Sequence, residues 1–273
     1  MIELFTEMFS YHFMTRAIIV GLLVSLCAAL LGVPLVLKRY SMIGDGLSHV
    51  GFGALAIAAA VNVAPLALAV PVVIAAAFLL LRINQSSRIK GDAAIALISS
   101  SALAIGVAVV SVTTGMNTDV SNYMFGSILS LSRADAVLSI ALSVIVLLMF
   151  VLLYPRIFAV TFDETFARAT GTKSELFNTV IAVLTAVTVV IGMRMMGALL
   201  ISSLIIFPAL TAMRLCRSFK SVVVCSSIVS VVCFTLGMTA SYALELPSGA
   251  SVVIVNIIAF LAFSLASLLK RKA

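Results

Sequence analysis

The sequence predicts an all-α polytopic membrane protein with about nine spans, and three observations predict it. Hydrophobic residues make up 63% of the 273 and charged residues only 10%. The apolar residues fall into runs long enough to cross a bilayer, and the basic residues gather in alternate connections between those runs. A soluble domain carries about a quarter charged residues. With a mean hydropathy of +1.28, the chain has too little polar surface to face water, and lipid is the solvent it fits.

A helix needs about 20 apolar residues to cross the hydrocarbon core, where no water satisfies free backbone groups. Candidate spans run over 15–37, 42–61, 64–82, 93–113, 134–154, 174–193, 197–214, 221–243 and 249–269. The joins "NVAP" and "MRMMG" are short, which leaves eight or ten spans open. Charge placement tests the partition separately. If the N-terminus lies outside, the inner segments hold Lys38, Arg39, Arg82, Arg88, Lys90, Arg156, Arg168, Lys173, Arg214, Arg217, Lys220, Lys270, Arg271 and Lys272, against Arg16, Arg133 and Arg194 outside. The alternation has no violation, so the reading is nine spans with the C-terminus cytoplasmic. The net charge of +7 is then topological and excludes a nucleic-acid role. The acidic N-terminal segment "MIELFTEMFSYHF" does not read as a removable signal peptide. With no linker or repeat in view, residues 1–273 are expected to form one transmembrane domain.

Within these runs, small residues recur at helical spacing: Gly21, Ser25, Ala29 and Gly32 in the first span, and the stretch Gly51 to Ala60 in the second. Such spacing lets helices approach closely in lipid. The four cysteines (Cys27, Cys216, Cys225 and Cys233) lack CxxC spacing and read as small buried hydrophobes.

The second span contains "SMIGDGLSHVGFGALAI", with Asp45 and His49 four residues apart. Counted at ~1.5 Å per residue from Arg39, they lie ~10 and ~15 Å inward, near the middle of a ~30 Å core. Positions i and i+4 share a helix face. An ionised group at that depth costs at least ~2.5–3.5 kcal/mol on insertion scales and must face a cavity or a partner. A carboxylate and an imidazole on one face are good divalent-metal ligands; the alternative is a structural hydrogen bond between spans. The pair supplies only half of a tetrahedral site. The rest must come from another helix, a second copy of the chain or water, with Cys233, Ser202 and Ser203 as candidates.

The sequence also resembles a known family, the membrane permease subunit of zinc and manganese ABC importers. The likeness is carried in order by "GLLVSLCAALLGVPLVLKRYSMIGDGLSHVGFGALAIA", "IKGDAAIALISSSALAIGV", "FDETFARATG", "MGALLISSLIIFPALTAMRL" and "LELPSGASVVIV". It implies a permease of the type II ABC importer kind in the cell membrane. It also implies a homodimer of permease chains, two cytoplasmic ATPase subunits and an extracytoplasmic metal-binding protein. Asp45 and His49 would line the metal pathway. "GDGLSHVGFGALA", with Gly46 and Phe52, is similar to the zinc-type members, so zinc is the expected cargo, with manganese or iron(II) as the alternative.

A pump needs an energy source, and "ATGTKS" (Ala169 to Ser174) lacks the GxxxxGK[ST] phosphate cradle. The chain therefore reads as a transporter subunit that leaves ATP hydrolysis to a partner. Residues 162–171 are the expected coupling segment. Asp163, Glu164 and Arg168 form a polar side, Phe162, Phe166 and Ala169 share a face, and Gly171 ends the helix. The rival reading is a helix lying on the membrane surface. On the outer side, Glu3, Glu7, Asp119, Asp135 and Glu245 read equally as a cation-concentrating entrance and as solvated loops.

Other classes fit less well. "IGDG" has Met42 where a GxGD protease needs Gly, and only one membrane aspartate is present where two must share a proton. "LPSG" at Leu246 to Gly249 lacks the rhomboid-type serine motif, and HExxH is absent. An ion-coupled secondary transporter would typically show two related halves with broken helices; neither is visible in the sequence.

Overall fold

A computed structural model describes residues 12–86, 91–113 and 132–272. Among these residues there are ten helices: α1 (His12–Leu37), α2 (Ile43–Ala60), α3 (Pro65–Ser86), α4 (Gly91–Thr113), α5 (Arg133–Phe162), α6 (Glu164–Ala169), α7 (Ser174–Met196), α8 (Ala198–Leu215), α9 (Phe219–Leu244) and α10 (Ser248–Lys272). Nine of them, all but α6, are long and apolar enough to cross a membrane. The runs 42–61, 174–193 and 197–214 thus form separate spans in spite of their short joins.

α1 is the hub, packing on α5, α7, α8 and α9. Its small residues let neighbours reach its backbone. Ser230 Oγ of α9 donates to the Ser25 carbonyl at 2.9 Å, and Ser226 Oγ to that of Ala29 at 3.3 Å. Cys27 Sγ donates to the Ser143 carbonyl of α5 at 3.4 Å. These bonds satisfy polar groups that lipid could not. A Cβ on Gly32 would run into the Ile205 backbone of α8, so glycine there sets the α1–α8 distance. α2 lies most extensively along α4 and also touches α3, α7 and α8. Gly46 faces Ile95, and Gly53 faces the Ala102 carbonyl. Both pairs share one sequence offset, so α2 and α4 run in the same direction and in register.

Two turns shape the site. The α1–α2 turn closes on Arg39 at φ 61. Tyr40 N–H bonds the Leu35 carbonyl at 2.8 Å and Arg39 N–H that of Val36 at 3.1 Å. This is a Schellman closure with a non-glycine residue in the left-handed position. Gly197, at φ 84, joins α7 to α8.

The fifth span departs from expectation. Pro155 does not end it near 154: α5 runs 30 residues to Phe162, ~45 Å of helix, longer than the hydrocarbon core. The proline falls in the last two turns of the helix, on an exposed face shared with Val151, whose carbonyl loses its partner, and packing resumes beyond it. Arg156 sits over the Phe177 ring of α7 at 5.4 Å, and Phe158 packs on Phe219 of α9, centroids 5.1 Å apart.

Gly32→Val should destabilise the bundle by about 1–3 kcal/mol, because a backbone cannot yield as a side chain can. Gly51→Ala, whose Cβ crowds the flexible end of Met193 and makes ordinary contact with Val73, should cost less. Melting temperatures in detergent, with Gly32→Val the lower, check this.

Candidate metal pathway and coupling segment

Asp45 occupies the first turn of α2, where the positive end of the helix dipole favours a carboxylate. The sequence count placed it deep by assuming continuous helix from Arg39. The structure reaches that depth differently. Residues 39–42 form the turn, and the start of α2 is recessed into the bundle. Ser202 of α8 donates to Asp45 Oδ1 at 3.2 Å, and Ser202 stands ~19 Å along α8 from Leu215. The carboxylate is therefore far from the basic end of α8, although it follows Arg39 by only six residues.

His49 Nε2 lies 3.7 Å from Asp45 Oδ2, with side-chain exposures of 22% for His49 and 40% for Asp45. For a carboxylate inside a membrane span, 40% is high: the pair faces out of this chain rather than into its core. Donor atoms 3.7 Å apart can share one ion at ~2.1 Å bond lengths, so the geometry is open to a metal. Among the described residues no group of three or more His, Cys, Asp and Glu side chains converges. Of the other candidates, Ser202 is brought to Asp45. Ser203 is buried and donates to the Leu200 carbonyl at 2.9 Å. Cys233 is buried on α9, which packs on α1, α8 and α10. Sequence spacing could not reveal the Ser202 contact, because the two residues are 157 apart.

Residues 162–171 are not one helix. Phe162 ends α5, Asp163 is extended at φ −146, and α6 begins at Glu164. The Asp163 carboxylate accepts from Phe166 N–H at 2.9 Å, an N-cap. Gly171, at φ 84, closes α6: Thr172 N–H bonds the Ala167 carbonyl at 2.9 Å and Gly171 N–H that of Arg168 at 3.0 Å. Phe162, Phe166 and Ala169 therefore do not share one helical face, although Phe162 and Phe166 are both 65% exposed.

Glu164 points inward. It pairs with Lys38 at 3.4 Å, accepts from Asn178 at 3.3 Å and binds Arg168 at 2.9 Å. Lys38 also donates to Asn178 Oδ1. Burial lowers the Lys38 ammonium below its usual value despite the opposing pull of Glu164. Burial pushes Glu164 up, but Lys38 and the hydrogen bonds from Asn178, Arg168 and Lys38 outweigh it and leave the carboxyl below its usual range. The two partners respond differently because Lys38 is the more enclosed, at 10% side-chain exposure against 34%.

Asp135 is not a free entrance charge. It pairs with Arg194 at 3.3 Å, both side chains 18% exposed, and accepts from Ser132 Oγ at 2.9 Å. Glu245 caps the end of α9 at φ 53. Glu3, Glu7 and Asp119, with Arg88 and Lys90, lie outside the described residues.

The fold defines a class: a multi-pass membrane protein, with a carboxylate and an imidazole side by side in its second span. The family model of the ABC 3 transport family matches residues 10–267, and the chain belongs to that family. It is 28% identical over 259 residues to the manganese import system permease protein ScaB of Streptococcus gordonii, covering 95% of this chain and 93% of that one. It is 30% identical over 262 residues to the manganese transport system membrane protein MntC of Listeria monocytogenes, covering 95% and 93%. Among solved structures, PsaBC from Streptococcus pneumoniae in complex with Fab superposes with a TM-score of 0.86 at 28% identity, over 96% of this chain and 95% of that one. The chain is thus the permease subunit of a metal ABC importer.

A lowered Glu164 pKa stabilises the fold above the usual carboxylate range, and the contribution drains away as pH falls through and below about 4. Wild type should therefore melt a few degrees above Glu164→Gln at pH 7, and the gap should narrow as pH falls below the usual carboxylate range. Asp45→Asn, with one 3.2 Å bond to a serine at stake, should cost no more than about 1 kcal/mol; a larger fall in melting temperature would make the pair structural.

Proposed function

We propose that the chain carries manganese across the plasma membrane, with Asp45 and His49 as its ligands at the narrowest point of the path. The observation that carries this reading is the outward-facing donor pair: two ligands, open to the outside of the chain, with Ser202 as the polar neighbour. A second copy related by a two-fold axis would present the same pair and complete an Asp2His2 set, leaving positions for water. Carboxylate and water suit manganese, and imidazole suits it less selectively. The manganese relatives support the same ion, and zinc, the expectation from the sequence pattern, has only the donor types in its favour. Metal competition for uptake separates the two.

The whole chain acts as one permease domain. Its basic ends, with Lys38, Arg39, Arg156, Lys173, Arg214, Arg217, Lys220 and Lys270, face the cytoplasm. An extracytoplasmic metal-binding protein delivers the ion. Two ATPase subunits dock on α6 of the paired permeases, with Phe166 entering the ATPase groove, Asp163 and Gly171 holding the short helix in shape, and Glu164 and Arg168 fixing it to the bundle. The exposed aromatic rings at 162 and 166 supply the apolar anchor such docking needs.

In proteoliposomes containing the full complex, Asp45→Asn or His49→Ala should lower manganese uptake at least a hundredfold while the ATPase subunit still co-purifies. Wild-type uptake by both variants would overturn the metal assignment. Glu164→Arg with Phe166→Ala should release the ATPase, and normal co-purification stoichiometry would contradict the docking assignment.

A further inference from the structure

The donor-bearing helix is tied to the coupling segment by one side chain. Lys38 follows α1 directly and stands seven residues before Asp45. Its ammonium reaches across to Glu164 of α6, 3.4 Å away, and to Asn178 Oδ1 of α7. Asn178 is buried and returns a bond to Glu164 at 3.3 Å. The network is closed: each of the three side chains contacts the other two. An enclosed lysine held by a carboxylate and an amide is costly to arrange unless every polar group is met, and here the groups come from three different helices.

The connection from Lys38 to α2 has little slack. The turn is pinned by the two backbone bonds at Arg39 and Tyr40 and by the left-handed Arg39 itself. Ile43 then bonds back to the Tyr40 carbonyl at 3.0 Å, and α2 begins. A displacement of Lys38 is delivered to the first turn of α2, where Asp45 sits. The turn borders a cavity of about 240 Å³, lined in part by Lys38 itself, Arg39, Tyr40, Ile43, Asp92 and Ile95. In a close-packed bundle most elements cannot shift without clashes; this turn has room to move into.

We propose that Lys38 is the positioning residue through which movement of α6 reaches the metal ligands, acting on Asp45 and His49 through the α1–α2 turn. The proposal rests on α6 being the ATPase docking element. α6 is otherwise joined covalently only to α5 and α7, neither of which carries a metal donor. The Lys38–Glu164 contact is the non-covalent link from α6 that enters the α1–α2 connection.

The test is the ratio of manganese ions moved to ATP hydrolysed, measured on the full complex in proteoliposomes. Lys38→Met should leave hydrolysis within about twofold of wild type, keep the ATPase subunit at full stoichiometry and cut the ratio at least tenfold. Lys38→Arg, which keeps a cation against Glu164 and adds no positive charge beside Arg168, should hold the ratio to within threefold. A merely structural lysine predicts something else: transport and hydrolysis falling together with the melting temperature. That result, or a wild-type ratio in Lys38→Met, overturns the proposal. If Lys38→Met does not fold, Lys38→Gln, which removes the ion pair but can still hydrogen-bond Asn178, decides alone, and a wild-type ratio in it overturns the proposal. Failure of the docking assignment would be seen separately, as retention of the ATPase subunit by the Glu164→Arg and Phe166→Ala double variant.

Discussion

The structure depends on accommodating one carboxylate, Asp45, within a bundle of membrane-crossing helices. An aspartate at mid-depth costs several kcal/mol unless its surroundings answer it, and three features of the fold do so at Asp45. Its place in the first turn of α2 brings the positive end of a helix dipole to bear. Ser202 supplies a hydroxyl at 3.2 Å. The remaining lone pairs face an opening rather than packed side chains, as the 40% exposure shows. Each requires a helix to begin inside the bundle rather than at its surface. The recessed α1–α2 turn, with its strained Arg39, is the cost of placing a helix N-terminus at that depth.

That cost explains the glycines nearby. A turn inside the bundle must leave room for backbones on all sides, so α1 meets α8 at Gly32 and α2 meets α4 at Gly46 and Gly53. Close backbone approach replaces the hydrophobic driving force that lipid cannot provide between helices. The serines that bridge α9 to α1 do the same work with hydrogen bonds: each hydroxyl reaches a carbonyl of the neighbouring helix and leaves no donor in lipid.

Local pattern made much of this legible. Run length and charge alternation located the nine long helices, and i,i+4 spacing put Asp45 and His49 on one face because helix geometry fixes that relation without tertiary information. Gly171 was readable as a helix end for the same reason. What stayed hidden is what the third dimension adds. Ser202 looked no different from Ser203 until the register of α8 turned one toward Asp45 and the other to its own backbone. Glu164 read as a polar residue on an exposed helix, and only the packing of α1 and α7 shows that it is turned inward. Phe162 was grouped with Phe166 and Ala169 by spacing alone, and spacing does not show where one helix ends and the next begins. A proline removes one backbone bond, and the packing of Ile157 and Phe158 beyond it carries α5 on to Phe162. Asp135 read as a free charge because its partner Arg194 is 59 residues away.

The same constraint bears on how such a site could be worked by a distant motor. Packed helices do not deform continuously; they hold one arrangement until a different one becomes available. α2 packs closely on α4 at Gly46 and Gly53. Its first turn also borders a cavity, which is lined in part by the lysine shared with α6 and α7. A carboxylate in that turn is poised where a small displacement changes its ligand geometry most and disturbs the bundle least. The polar network that holds Lys38 also has to be satisfied at both ends of any such movement, because a lysine left unpaired there would pay its full desolvation cost. On the coupling proposed above, a rearrangement of α6 that keeps Lys38 paired carries the turn with it, and with the turn, Asp45.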